Sequence, residues 1–257
     1  MAWGRTVIDL IEPFLILFIA HLIGDFVLQT EQMALKKGYQ LPWLAYHATQ
    51  VGLITCLLCW SWNALPVVAV VFLTHLVFDA IKPHLPGSPL KWYIWDQIGH
   101  IVTLLFCAHW MVAYFRIQSM PLTAYIPLDM QVIIAAYLFV ARPLTVSVGL
   151  FLRPWQEDML KVNGDDSDAS ELTGLNRSGE WIGNLERFFA LTCVLAEQYM
   201  PIAGLLIAKA IMRFGEISQP KQRKKGDYVI LGTFASVGLA TAVGLIACWL
   251  MRMLALQ

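Results

Sequence analysis

The stretch HLIGDFVLQ, residues 21–29, closes an apolar run that begins with IEPFLILFIA at residues 11–20. A membrane helix needs about 20 apolar residues to cross the hydrocarbon core, and this run meets that length. A histidine and an aspartate one helical turn apart are costly there, so His21 and Asp25 ask for a function. The same pair returns as His75 and Asp79 in HLVFD, 54 residues later. Each pair stands near the end of one apolar run, and each following run opens with another histidine, His47 or His100. Asp96 precedes His100 by one turn in WDQIGH. The pattern H-x3-D…H is thus repeated as H-x3-D…D-x3-H, which predicts a duplicated helical hairpin near the N-terminus.

The rest of the composition agrees with a membrane setting. The chain of 257 residues is 58% hydrophobic and 14% charged, against about 25% charged in ordinary soluble domains. Mean hydropathy is +0.61. Ten tryptophans suit rings placed at membrane interfaces. The formal net charge is zero, which gives no basic field for nucleic acid. MAWGRTVIDL resembles the start of a signal peptide, but no small-residue cleavage site follows, so a retained first helix is expected. The five cysteines lie in apolar segments and read as buried small hydrophobes, including Cys56 and Cys59 in their C-x-x-C spacing.

Apolar runs predict spans near 9–29, 43–61, 66–82, 97–115, 129–151, 183–200, 202–214 and 228–251. The expected fold is therefore all-α and polytopic, with about eight (seven to eight) transmembrane segments. Residues 1–120 form the duplicated-hairpin domain, 121–152 a fifth span, 153–182 a polar cytoplasmic linker and 183–257 a C-terminal transmembrane extension. The linker's Gly, Asp and Ser content reads as loop, with a short interfacial helix around Trp155–Val162. Lysine and arginine collect in alternate loops: Lys36/Lys37, Lys82/Lys91, Arg153/Lys161/Arg177 and Lys221/Arg223/Lys224/Lys225. The positive-inside rule then puts the N-terminus outside and both His/Asp pairs at the cytoplasmic face.

A parallel repeat of two hairpins brings His21, Asp25, His47, His75, Asp79, Asp96 and His100 to one depth. So many polar groups in an apolar setting need compensation, and a divalent metal supplies it. Imidazoles bind it while neutral, carboxylates while ionised, and the cation offsets their repulsion. Mixed nitrogen and oxygen ligands favour zinc, with manganese and iron as alternatives. Asp25 or Asp96 suits a general base wherever it is not a ligand. Gln29 and Gln97 lie close enough in sequence to orient ligands or substrate. Lys82, three residues after Asp79, is placed to neutralise it. His84 reads as a loop residue and His109 as a packing or proton-path residue. In the second half, Lys209 and Arg213 stand one turn apart in AKAIMRFGE, suited to a lipid headgroup or phosphate or to pairing with Glu186 of GEWIGNLERF.

HLIGDFVLQTEQMALKK, HLVFDAIK and WDQIGH together resemble a bacterial membrane family known as domain of unknown function 3307, over roughly residues 13–115. The resemblance rests on His21, Asp25, Gln29, His47, His75, Asp79, Asp96, Gln97 and His100. It implies a multi-pass protein of the bacterial inner membrane and a clustered site, and it transfers no reaction. Three functions fit: a metal-dependent hydrolase acting at the cytoplasmic face on a lipid or membrane-associated substrate, a metal-ion or proton transporter, and a structural membrane protein stapled by metal.

Overall fold

The computed structural model describes the backbone of residues 2–114, 125–163, 166–217 and 223–255, with side chains over 9–114, 125–158, 179–212 and 226–255. Among these the secondary structure is helical throughout, and the chain divides into two compact units. One comprises Met1–Leu138 with Met251–Gln257, the other Phe139–Leu250.

Up to Tyr114 the first unit is built on four long helices and one short one. Helix α1 (Ala2–Leu22) runs into a π-helical turn, Ile23–Val27, that carries Asp25. The short α2 (Glu31–Lys36) is capped by Thr30, whose hydroxyl accepts from the Met33 amide. Helix α3 (Leu41–Cys59) ends at Trp60, which adopts φ 41°, the left-handed conformation that closes a helix. A single 3-10 turn, Trp62–Ala64, then starts α4 (Leu65–Ile81), so α3 and α4 form a tight antiparallel hairpin. Helix α5 spans Pro89–Tyr114. Helix α1 packs on α3 and α5, and α4 packs on the same two, giving the ring order α1, α3, α4, α5.

Alternating directions around this ring sort the side chains by depth. The residues before His21 and His75 and those after His47 and His100 all point to one end. They form a single apolar cluster of Ile16, Leu17, Val51, Cys59, Val67, Val71, Leu104, Cys107, Ala108 and Met111. The four histidines and their carboxylates occupy the other end. Tyr39, Tyr46 and Trp95 are exposed near the histidine end, and Trp60, Trp62 and Tyr114 at the apolar end. Between them Leu53, Leu57, Leu73, Val77, Val102 and Phe106 face outward, as a lipid-facing wall does.

Among the described residues five helical segments are long and apolar enough to cross a membrane: Asp9–Val27, Trp62–His84, Pro89–Tyr114, Leu128–Asp158 and Gly226–Ala255. This corrects the expectation of about eight spans. Helix α3 falls short because Tyr46, His47, Thr49 and Gln50 dilute its first half. The run at 183–200 carries Glu186, Arg187 and Glu197. Met200–Met212 is a shorter apolar helix, about 20 Å at 1.5 Å per residue against a core of about 30 Å. The chain is a multi-pass membrane protein with fewer candidate crossings than its apolar runs suggest.

In the remainder, α6 (Leu128–Ala141) and α7 (Pro143–Asn163) share one apolar stretch, divided where Pro143 opens α7. Helices α8 (Asp166–Leu195), α9 (Met200–Ile217) and α10 (Arg223–Ala255) follow. The polar stretch expected as loop is helical over most of its length, because its Glu, Gln, Leu and Lys residues are good helix formers.

Candidate metal centre

Each helix of the ring contributes one histidine. His21 on α1, His47 on α3, His75 on α4 and His100 on α5 are all buried, at 2% exposure or less. The His75 and His100 rings stack at 4.2 Å between centroids. His21 lies 4.9 Å from His100 and 5.5 Å from His75, and His47 lies 5.8 Å from His75. The structure therefore brings the four imidazoles together, with Asp25, Asp79 and Asp96 among them.

Hydrogen bonds decide which ring nitrogens remain available. His75 Nδ1 sits 2.8 Å from the Val71 carbonyl one turn back, a bond only an Nδ1–H can make. Its Nε2 therefore carries the lone pair, and it is buried with no hydrogen-bond partner. That is the tautomer a metal-ligating histidine takes when its other nitrogen bonds a carbonyl. His21 is set by a longer chain. Lys82 Nζ donates to Asp96 Oδ2 at 2.7 Å, and Gln97 Nε2 donates to the same oxygen at 3.2 Å. This turns Gln97 Oε1 toward His21 Nε2, 3.2 Å away, so that nitrogen carries the proton. His21 Nδ1 is left bare and buried, and His100 Nε2 likewise has no hydrogen-bond partner, although Asp96 Oδ1 lies 3.5 Å from it.

Among the described residues two sets of side chains can hold a metal ion: His21, His75 and His100, and Asp25, His47 and His75. Within each set the ligand atoms lie within 4.8 Å of one another. A tetrahedral zinc holds its ligand atoms about 3.3 Å apart, so closure requires movements of about an ångström. The two sets share His75, whose one free nitrogen serves one ion. A buried cluster capable of coordinating a divalent metal is thus present.

The second set already has a cation against it. Lys37 Nζ lies 2.9 Å from Asp79 Oδ1, 3.5 Å from Asp25 Oδ1 and 3.0 Å from His47 Nε2, with only 11% of its side chain exposed. Burial opposes the Lys37 charge, but Asp25 and Asp79 outweigh it and raise the ammonium above its usual pKa. His47 Nε2 is also 2.9 Å from Asp25 Oδ1 and 3.3 Å from Asp79 Oδ2. Lys37 joins the cluster because its loop lies against the end of α4. Gly38 touches Pro83 where any β-carbon would collide, and this close approach aims Lys37 at Asp79. The sequence marked Lys37 only as a topology-setting charge, and Gly38 beside it was the one local hint of a close approach.

The other expected residues divide clearly. Lys82 pairs with Asp96 at 2.7 Å, not with Asp79, whose cation is Lys37. Gln29 Oε1 is buried without a hydrogen-bond partner. His84 is exposed with its ring against Tyr39, and His109 is exposed on α5, away from the buried cluster. In the second unit, Lys209 Nζ reaches both Glu186 oxygens at 2.6 and 2.7 Å, so that lysine is engaged in an ion pair. The side chain of Arg213 lies outside the described residues. Arg187, 3% exposed, donates to Val140 O, Ser236 Oγ, Thr145 Oγ1 and Asn184 Oδ1, a structural knot tying α8 to α6, α7 and α10.

Comparison with known proteins adds one domain match. Residues 14–127 match the family described as "Protein of unknown function (DUF3307)", and the chain continues beyond that domain. All seven His and Asp residues of the cluster fall inside the matched region. No curated protein and no solved structure matches the chain.

Proposed function

We propose that this chain is a metal-dependent hydrolase of the bacterial inner membrane, acting at the cytoplasmic face on a lipid or other membrane-associated substrate. The observation that carries the proposal is the three-imidazole set, with the His75 lone pair fixed by the Val71 carbonyl and the His21 tautomer fixed through Gln97. Three nitrogen ligands favour zinc, with manganese and iron as the other candidates. An ion held there supplies Lewis acidity, lowering the pKa of water and polarising an ester, amide or phosphoester.

The chain's own groups provide the rest. Asp25 is the better-placed base, because it shares a metal-capable set with His75 and contacts His47 at 2.9 Å. Asp96 spends one oxygen on Lys82 and Gln97 and acts by positioning His21. Three carboxylates face two ammonium groups, leaving one negative charge for a divalent cation to offset. A groove of about 830 Å³ between α2 and the start of α3 has a mixed lining, with Leu28, Met33, Trp43 and Tyr46 beside Thr30, Glu31, Gln32 and Gln50. Lys36 and Lys91 lie at the histidine end of the bundle, which favours the cytoplasmic assignment. The apolar cluster filling the opposite end offers ions no polar route, which argues against a transporter.

Purified protein is expected to hold one zinc per chain. His21→Ala, His75→Ala and His100→Ala lose it, and His84→Ala keeps it. Asp25→Asn should retain zinc while hydrolysis of micellar ester or phosphoester lipids falls by about 10²–10⁴-fold. A wild type without stoichiometric metal, or an Asp25→Asn protein with full turnover, would refute the proposal.

A further inference from the structure

We infer that the Lys37 ammonium is the resident cation of the cluster's carboxylate half, and that removing it uncovers a second divalent-cation site made by Asp25, His47 and Asp79. The inference rests on the proposal above only for the ion in the three-imidazole half. Lys37 Nζ stands where a metal would stand, within 3.5 Å of one oxygen from each aspartate and of His47 Nε2. His47 Nε2 also lies 2.9 Å from Asp25 Oδ1 and 3.3 Å from Asp79 Oδ2, so the imidazole bridges the two carboxylates beside the lysine. Asp79 Oδ2 is buried and lacks a hydrogen-bond partner, so this half still has acceptor capacity that Lys37 leaves unused. Asp79 is 3% exposed and Asp25 6%, so solvent cannot compensate their charges.

Charge and ligand count then decide the occupancy. With Lys37 present, a divalent ion in this half would sit against an ammonium and find the carboxylates already engaged. Without it, two buried carboxylates and an imidazole face one another, a donor set that suits a divalent cation and is neutralised by it. His75 cannot serve both halves, because its Nδ1 is committed to Val71 and its Nε2 takes one ion. Lys37 thereby confines the intact cluster to one metal and directs it to the imidazole half. Its carrier, the short α2 segment and the turn after it, is held by Gly38 against Pro83 in the 3-10 turn that follows α4.

The test is zinc stoichiometry of the full chain, by elemental analysis and calorimetric titration with zinc alone. The wild type and Lys37→Arg are expected to bind one equivalent and Lys37→Met two. The Lys37→Met/His100→Ala protein should keep one equivalent, which Asp79→Asn then removes. One equivalent in both wild type and Lys37→Met overturns the inference and leaves the hydrolase proposal standing. None in the wild type but one in Lys37→Met supports the inference and sinks the three-imidazole site. Should Lys37→Met be unstable, added zinc must raise its unfolding midpoint more than it raises the wild type's. Instability that zinc does not relieve, with Lys37→Arg well folded, also overturns the inference.

Discussion

At the residue scale the cluster depends on proton placement as much as on proximity. His75 is set by a backbone carbonyl, which no substitution of a neighbouring side chain removes. His21 is set by Gln97, and Gln97 by Asp96, so that arm is open to mutation. Gln97→Leu removes the acceptor that holds the proton on His21 Nε2, and both ring nitrogens then compete for it. Partners of this kind typically contribute 10–100-fold to metal affinity. Zinc affinity of Gln97→Leu is therefore expected to drop by about that factor, with Gln97→Glu restoring most of it. Unchanged affinity in Gln97→Leu would show that the Gln97 contact is incidental. The one-turn spacings His21/Asp25, His75/Asp79 and Asp96/His100 were readable from the sequence, but only the last pair meets side chain to side chain, while Asp25 and Asp79 both turn to His47 and Lys37. Lys37 was not readable, because it reaches the site through a turn and a loop contact, and spacing along one helix says nothing of such a partner.

At the element scale the decisive feature is the π-helical turn that ends α1. It carries Asp25 and places Gly24 against α3, where a β-carbon would lie 2.9 Å from Val51 Cγ2 and 3.2 Å from Val51 Cα. Gln50, on the same face of α3 as His47, donates to the Gly24 carbonyl at 3.2 Å and fastens the turn. Gly24→Ala gains up to about 1 kcal/mol in helix propensity. It loses about 1–3 kcal/mol by overpacking against backbone that cannot rotate away. The loss should win, so a lower unfolding midpoint in detergent is expected, partly recovered by adding Val51→Ala. A neutral or stabilised Gly24→Ala would mean that the α1–α3 contact is looser than the structure describes. The sequence showed two matched hairpins, but the π-turn has no signature in an H-x3-D spacing. It arises where α1 must bend its last turn to meet α3.

At the scale of the whole molecule, the site belongs to one unit and the buried arginine to the other. Arg187 has four neutral acceptors, and Lys209 and Glu186 form a pair of their own. Replacing Arg187 with Met leaves Ser236 Oγ without its donor, at about 1–3 kcal/mol for a buried polar group left unsatisfied, while Thr145 and Asn184 keep their bond to each other. Arg187→Met should thus unfold at lower temperature yet bind zinc with unchanged stoichiometry. Loss of zinc in a folded Arg187→Met protein would show that the two units share the site. The count of spans failed at this scale because apolarity was judged run by run. Helix α3 gives up apolar residues to carry His47 and Gln50, and it packs between α1 and α4 all the same.

The sequence by itself determined the membrane class, the duplicated His/Asp pattern and the common depth of its seven groups. Each of these follows from composition and from periods along single helices, which are local properties. The tertiary structure alone decided which groups meet, because meeting depends on the ring order of α1, α3, α4 and α5 and on a loop folded back over α4. From that order come the three-imidazole set, the pairing of Lys82 with Asp96, and the lysine at the heart of HLIGDFVLQ's own carboxylate.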